Sequence, residues 1–149
     1  MRIAALLMLV GAAGVAARSM NGDAFGSWKV NPGRSTNPYT GSLVLRIEPH
    51  AKGEVFTFDK TDADGRATSV STILYLDGKA HDFQDAACSG TQSSWRADSR
   101  TVEILRQCGG GKWIRFVRRD RQPKGLILDV TEQDSDGYRV ERRLLLEKQ

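Results

Sequence analysis

Apolar and polar residues alternate in short runs along most of the chain, and this alternation predicts β-strands. Leu43, Leu45 and Ile47, for example, fall on one side of an extended segment, and the residues between them fall on the other. No comparable apolar repeat at helical spacing follows the N-terminal region. The pattern therefore predicts an all-β protein.

Three Asp-Gly dipeptides, Asp64-Gly65, Asp77-Gly78 and Asp136-Gly137, lie between runs rich in β-branched and aromatic residues, which is the typical sequence of a β-hairpin. The second one would turn a strand that ends at Leu76 into one that begins at Ala80. We expect a single antiparallel up-and-down barrel of about eight to nine strands, since closure leaves no exposed strand edge. The small polar segment 84–91 is expected to be a loop.

The first residues have the composition of a secretory signal peptide. Arg2 precedes a short apolar run, and small residues follow up to Ala17. We expect cleavage after residue 17, a flexible leader over residues 18–24 and one barrel domain over residues 25–149. No later segment is apolar for the roughly 20 residues that a membrane-spanning helix needs. The sequence thus predicts an exported, soluble protein, either periplasmic or extracellular.

Cys88 and Cys108 are the only two cysteines. In an exported chain, such a pair most simply forms a disulfide, and closing this loop stabilises the fold by about 3 kcal/mol. The alternative is a redox pair, but the chain lacks a Cys-x-x-Cys motif. We therefore predict a structural disulfide.

The charge is mildly basic. The chain has 22 basic and 18 acidic residues, and loss of Arg2 with the signal peptide lowers the net charge from +4 to +3. This excess is too small to indicate a nucleic-acid partner. A basic strand face formed by Arg115, Arg119 and Arg139 is a candidate surface for an acidic envelope component or a membrane surface. The alternative is a solvated outer face.

The motif Gly26-Ser27-Trp28 resembles the Gly-x-Trp that opens the first strand of the lipocalin and calycin superfamily. In those barrels the Trp closes one end and stacks on an Arg from the last strand. The resemblance implies that Trp28 closes the barrel here, with Arg142 or Arg143 as its partner. The segments 28–32, 75–79 and 146–149 also resemble small exported bacterial proteins of lipocalin-like or uncharacterised type. That likeness implies the fold and export, without an activity.

Several aromatic residues of the predicted strands are candidates to line a ligand cavity, although the default interpretation is that they fill the interior. Arg142 lies on the apolar side of the last strand, where a charge is costly unless it is paired. It would serve either as the partner of Trp28 or as a contact for an anionic ligand group. The predicted ligand-binding residues are Phe56, Phe58, Tyr75, Trp95, Trp113, Phe116 and Arg142.

Two acidic loops, 62–65 and 132–137, resemble calcium loops, but Arg143 falls where the second would need a bidentate Glu. We interpret both as turns and predict neither metal nor cofactor. His81, with Asp77, Asp82 and Asp85 nearby, is the one candidate general base, and no nucleophile motif accompanies it. The sequence predicts a non-enzymatic exported barrel that binds a small amphipathic or apolar molecule. The alternatives are an envelope interaction module and, third, an enzyme that uses His81.

Overall fold

The structure is a computed structural model that describes residues 24–121 and 125–149. Within these ranges the chain forms one antiparallel sheet of ten strands, in the order β4-β3-β2-β1-β10-β9-β8-β7-β6-β5. The strands are β1 (Gly26–Val30), β2 (Ser42–His50), β3 (Gly53–Thr61), β4 (Ala67–Leu74), β5 (His81–Gln84), β6 (Ser89–Asp98), β7 (Thr101–Cys108), β8 (Trp113–Arg121), β9 (Gly125–Gln133) and β10 (Arg139–Lys148). The up-and-down all-β prediction is confirmed, but the count of eight to nine strands is wrong.

The alternation read from the sequence sets the two sides of the sheet. Leu45 and Ile47 of β2 are fully buried, whereas Arg46 between them bonds to Asp59 on the outer side. β1 pairs with β10, so the first and last strands in the sequence are neighbours in the sheet, and Trp28 lies opposite Lys148. We call the end where odd-numbered strands begin the base, and the end where they finish the mouth.

Two of the three predicted Asp-Gly turns are tight hairpins. The Oδ1 atom of Asp62 accepts hydrogen bonds from the amides of Asp64 and Arg66, at 3.0 and 2.8 Å. The Oδ1 atom of Asp134 accepts bonds from the amides of Asp136 and Tyr138 in the same way. These side chains therefore complete their own turns, as Asp commonly does, in the two loops considered as calcium sites.

The third Asp-Gly pair does not form a hairpin, so the predicted pairing across Asp77-Gly78 is wrong. Leu76 adopts a positive φ of 56°, and the Gly78 amide donates to the carbonyl oxygen of Ser94 at 2.9 Å. The segment is therefore attached to β6 and turns away from β4. As a result, β4 and β5 are the two edges of the sheet and share no ladder of backbone hydrogen bonds.

The prediction of a fully closed barrel is corrected by the same observation. We call the line where β4 faces β5 and β6 the seam. The connection within the segment 84–91, all of which was predicted as a loop, is only residues 85–88, because β5 ends at Gln84 and β6 begins at Ser89. A short β5 of four residues, paired with β6 alone, is too limited to complete the ladder to β4.

The predicted disulfide is confirmed. Cys88 and Cys108 are bonded, with their Cα atoms 5.0 Å apart, and they tie the start of β6 to the end of β7 at the mouth. The predicted signal peptide and most of the leader lie outside the described residues. Ala24, which the sequence assigns to the leader, is buried. In the described part of the chain, no helix has the length and apolar character needed to cross a membrane.

Candidate ligand-binding site

Three of the predicted aromatic residues face the interior. Phe56 and Phe58 on β3 and Phe116 on β8 are buried and contact one another through ring edges and tilted faces. The ring centroids of Phe58 and Phe116 lie 5.5 Å apart across the barrel. These rings form a continuous apolar wall between base and mouth.

The other three predicted aromatic residues lie on the outside, so their assignment to the interior wall is wrong. Trp95 neighbours the buried Ser94 and therefore points the opposite way, where its Nε1 donates to Glu103 at 2.7 Å. Trp113 is likewise outside, with the Arg139 guanidinium 5.6 Å from its ring. Because side chains alternate along a strand, only every second residue faces the interior. On these two strands Ser94 and Ile114 face inward, so the adjacent Trp95 and Trp113 face outward.

Tyr75, the third, lies next to the seam and stacks on His81 with ring centroids 3.8 Å apart. The Nε2 atom of His81 is 2.9 Å from the Asp77 carboxylate. The Lys79 amide and, next, His81 lower the pKa of Asp77. Tyr75 and His81 line a cleft of about 310 Å³ on the outer side of the seam. The candidate base therefore has a carboxylate partner, in a surface cleft rather than in the interior.

Arg106, which the sequence reasoning missed, is buried inside the barrel near the mouth. Its guanidinium carbon lies 4.1 Å from the ring centroid of Phe83 and 4.9 Å from that of Phe116. Its Nε donates to the side-chain oxygen of Gln92 at 2.8 Å. Burial lowers the pKa of Arg106 to about 10, so the group is still a cation at neutral pH. The available signal was the alternation Val102, Ile104, Arg106, which places the arginine on the buried side.

Arg142 also reaches the mouth from the inner side of β10. Its guanidinium lies 4.3 Å from the ring centroid of Tyr39, and its Nη1 donates to the carbonyl oxygen of Asn37 at 2.9 Å. The Lys60 ammonium lies 4.2 Å from the centroid of the same ring. Burial, and then the nearby Glu132 carboxylate, raise the pKa of Tyr39 to about 12. We call Tyr39, Lys60, Arg106 and Arg142 the mouth cluster.

Two nitrogen atoms of the mouth cluster are buried without a hydrogen-bond partner among the described residues: Nη2 of Arg106 and Nε of Arg142. The Asp85 carboxylate is 4.0 Å from Arg106, beyond hydrogen-bond distance. A buried N–H that lacks an acceptor costs about 1 to 3 kcal/mol, and more when the group is charged. Both guanidinium groups therefore retain capacity to bind an acceptor, best an anionic one.

Near the base, the expected partner of Trp28 is a different residue. The Trp28 ring is buried, and its Nε1 donates to the carbonyl oxygen of Ala24 at 2.8 Å. The Lys148 ammonium lies 5.7 Å from this ring. Arg142 is six residues earlier on β10, which is about 20 Å along an extended strand. Arg143 points outward to Asp129. The stacking of Trp28 on Arg142 or Arg143 is therefore not formed.

The base also holds a buried ion pair that the sequence reasoning missed. Nη1 of Arg118 lies 2.9 Å from the Glu54 carboxylate, and Arg96 approaches the same carboxylate at 3.7 Å. Glu54 is two residues from Phe56 on β3, and Arg118 is two residues from Phe116 on β8, so each charged residue shares one side of its strand with a buried phenylalanine. A charged residue in register with buried phenylalanines was the signal that could have located this pair.

The predicted basic face carries its own counter-ions. Arg115 is paired with Glu103, and Arg119 lies 2.6 Å from Asp129. Arg139 donates to the side-chain oxygen of Gln133 at 3.0 Å. Arg143 also pairs with Asp129, and although burial raises the pKa of this carboxyl, the two arginines lower it overall. The outer surface of β7 to β10 is therefore a network of paired charges.

Solved structures of two proteins resemble this fold. One is a "secretary abundant heat soluble (SAHS) protein" from Ramazzottius varieornatus, with a TM-score of 0.64 at 10% sequence identity, covering 85% of this chain and 96% of that one. The other is a mutant of the fluorescent protein UnaG, with a TM-score of 0.58 at 15% identity, covering 86% and 97%. No family model and no curated protein matches the sequence. The likeness to these structures shows that the chain shares their overall fold.

Proposed function

We propose that this protein is a non-enzymatic exported barrel that binds a small amphipathic molecule, with the anionic group of the ligand at the mouth cluster. The ligand's apolar part would contact the phenylalanine wall. The periplasm or the extracellular space is the proposed location, and the disulfide between Cys88 and Cys108 is consistent with such an oxidising compartment.

The observation that carries this proposal is that Arg106 and Arg142 each have a buried N–H group without an acceptor and, among the described residues, no carboxylate within hydrogen-bond distance. Arg106 lies against Phe116, so the charge and the apolar wall adjoin at one place. An apolar wall with a few oriented polar groups is the usual composition of a small-molecule site. A carboxylate or phosphate oxygen would satisfy the free N–H groups through charge-assisted hydrogen bonds.

A cleft adjoins this cluster at the mouth. Tyr39 and Lys60 line a cleft of about 170 Å³ at the mouth. The Tyr39 ring lies between the cleft and the apolar interior, where it packs against the core. A ligand whose head group contacts Arg142 would therefore also contact the phenol of Tyr39.

Two matched fluorescent probes test the proposal: dansyl-labelled undecanoate, which is anionic, and dansyl-labelled undecanol, which is neutral. We expect the acid to bind more tightly than the alcohol. The variant Arg106→Met should weaken binding of the acid by about tenfold or more, as expected for one hydrogen bond to a charged group, and leave binding of the alcohol nearly unchanged.

Arg115→Met on the outer surface is the matched control, and it should bind both probes like the wild type. Equal affinity for acid and alcohol would contradict the role of the mouth cluster. The binding function itself would be refuted if neither probe bound the intact, disulfide-bonded protein.

A further inference from the structure

The seam is closed by side chains and loop amides instead of a strand ladder. Nε2 of Gln92 donates to the Thr72 hydroxyl at 3.0 Å and to the carbonyl oxygen of Ile73 at 3.3 Å, both on β4. Farther along, the Leu76 amide donates to the Ser94 hydroxyl at 2.9 Å. A few such bonds hold two edges together far less firmly than a continuous ladder, because the net contribution of each bond to stability is small.

Gln92 connects this closure to the interior. Its side chain is buried, and the amide has two functions: its nitrogen reaches β4, and its oxygen accepts the bond from Arg106. The cleft of about 310 Å³ lies directly outside, and Gln92, Thr72 and Ile73 are among its lining residues. The Gln92 side chain therefore lines this outer cleft and also contacts Arg106.

Both ends of the barrel are covered by aromatic rings in the described residues. Trp28 is buried near the base and is bonded to Ala24. At the mouth, Tyr39 is packed against the core and contacts the cationic groups of Lys60 and Arg142. Opening the mouth would disrupt two cation–π contacts and the packing of a ring against the core, whereas opening the seam beside Gln92 disrupts two neutral hydrogen bonds and the stacking of Tyr75 on His81.

We propose that ligands enter and leave the barrel through the seam, and that the Gln92 side chain controls this passage. The proposal rests on the proposed binding function. Because Gln92 also orients Arg106, an anionic group that reaches Arg106 through the seam would meet a guanidinium already aimed at the entrance.

The decisive variant is Thr72→Val, which removes one acceptor of Gln92 and leaves the bond between Gln92 and Arg106 in place. Stopped-flow measurements with dansyl-labelled undecanoate should show association and dissociation rates that both rise, by about threefold to tenfold for one lost hydrogen bond. The dissociation constant should stay within about twofold, because a change confined to the entrance alters the barrier and not the bound state. A change that merely loosened the binding site would alter the dissociation constant.

Thr131→Val on β9 is the matched control, because Thr131 lies on a strand that is paired on both sides. It should leave both rates unchanged. Tyr39→Ala tests the competing route through the mouth. Rates that rise in Tyr39→Ala but not in Thr72→Val would overturn the proposal and assign the route to the mouth.

A further variant keeps the test independent of packing changes at Thr72. Gln92→Ala removes both seam bonds together with the bond to Arg106, and it should accelerate exchange of the probe more than Thr72→Val does. Binding with wild-type rates in both variants would refute the seam route alone. Failure of the wild type to bind the probe would instead refute the proposed function.

Discussion

Both ends of the barrel bury an arginine, but they surround it differently. At the base, Arg118 is 2% exposed and pairs with Glu54, which is 1% exposed. At the mouth, Arg106 is 4% exposed, and its hydrogen-bond partner is the neutral amide of Gln92. The rings of Phe83 and Phe116 occupy the faces of the Arg106 guanidinium.

This difference separates a structural charge from one that remains able to bind. Nη2 of Arg118 also lacks a hydrogen-bond partner among the described residues, but the Glu54 carboxylate compensates the Arg118 charge within the fold, and the pair ties β8 to β3 across the barrel. The Arg106 charge has no carboxylate within hydrogen-bond distance in the described residues, and an outside anion can therefore complete it. Burial alone does not distinguish the two arginines, because both are almost fully inaccessible. The two arginines are distinguished by their hydrogen-bond partners, which are a carboxylate for Arg118 and a neutral amide for Arg106.

The largest effect is expected from breaking the pair at the base. Glu54→Ala leaves Arg118 buried without its carboxylate and should lower the free energy of unfolding by about 3 to 5 kcal/mol. Arg106→Met at the mouth removes a poorly compensated charge and should change it by about 1 kcal/mol or less. Urea denaturation of the two variants measures both values. Equal losses would show that the two arginines do not differ in the way described.

A second prediction concerns the disulfide, which constrains the mouth and not the base. Replacing both cysteines, as in Cys88→Ala with Cys108→Ala, should lower the free energy of unfolding by about 3 kcal/mol, since the bond closes a loop with a sequence separation of 20. Denaturation of the double variant, compared with the wild type, gives the value. Titration of the unreduced wild type should find no free thiol, and detection of two thiols would contradict the bond.

The smallest predicted effect is the pH dependence that Tyr39 gives to the mouth. The pKa of Tyr39 is raised from 10.0 to about 12 in the folded chain, because burial and the Glu132 carboxylate favour the neutral phenol. The contribution of Tyr39 to stability is therefore complete below pH 10 and is lost as the pH rises to about 12. A shift of about two pKa units corresponds to about 2.7 kcal/mol.

Arg106 titrates in the same range, but its effect on the free energy of unfolding has the opposite sign. Burial lowers the pKa of Arg106 to about 10, so stability rises as this group loses its proton. The difference between the wild type and Tyr39→Phe, measured by denaturation at several alkaline pH values, isolates the Tyr39 contribution. Parallel stability curves for the two proteins would contradict the raised pKa.

The local features of this protein are present in its sequence. Alternation predicted the strands, and the turns at Asp64-Gly65 and Asp136-Gly137 follow from residues within a few positions of one another, because an Asp side chain bonds to its own turn. The two cysteines sufficed to predict the disulfide. The strands and turns depend on residues that are near neighbours in sequence, and the two cysteines have only each other as a possible partner within the chain.

The tertiary structure decided the rest. On β8 both sides carry large apolar residues, Trp113 and Val117 on one and Ile114 and Phe116 on the other, so alternation alone does not show which side is inside. Pairing with β7 and β9 makes that choice. Three features depend on how the ten strands place residues that are far apart in sequence. They are the seam, the contact of Lys148 with Trp28 and the hydrogen bond between Gln92 and Arg106. The twist and length of the whole sheet set these positions, and no short stretch of sequence contains that information.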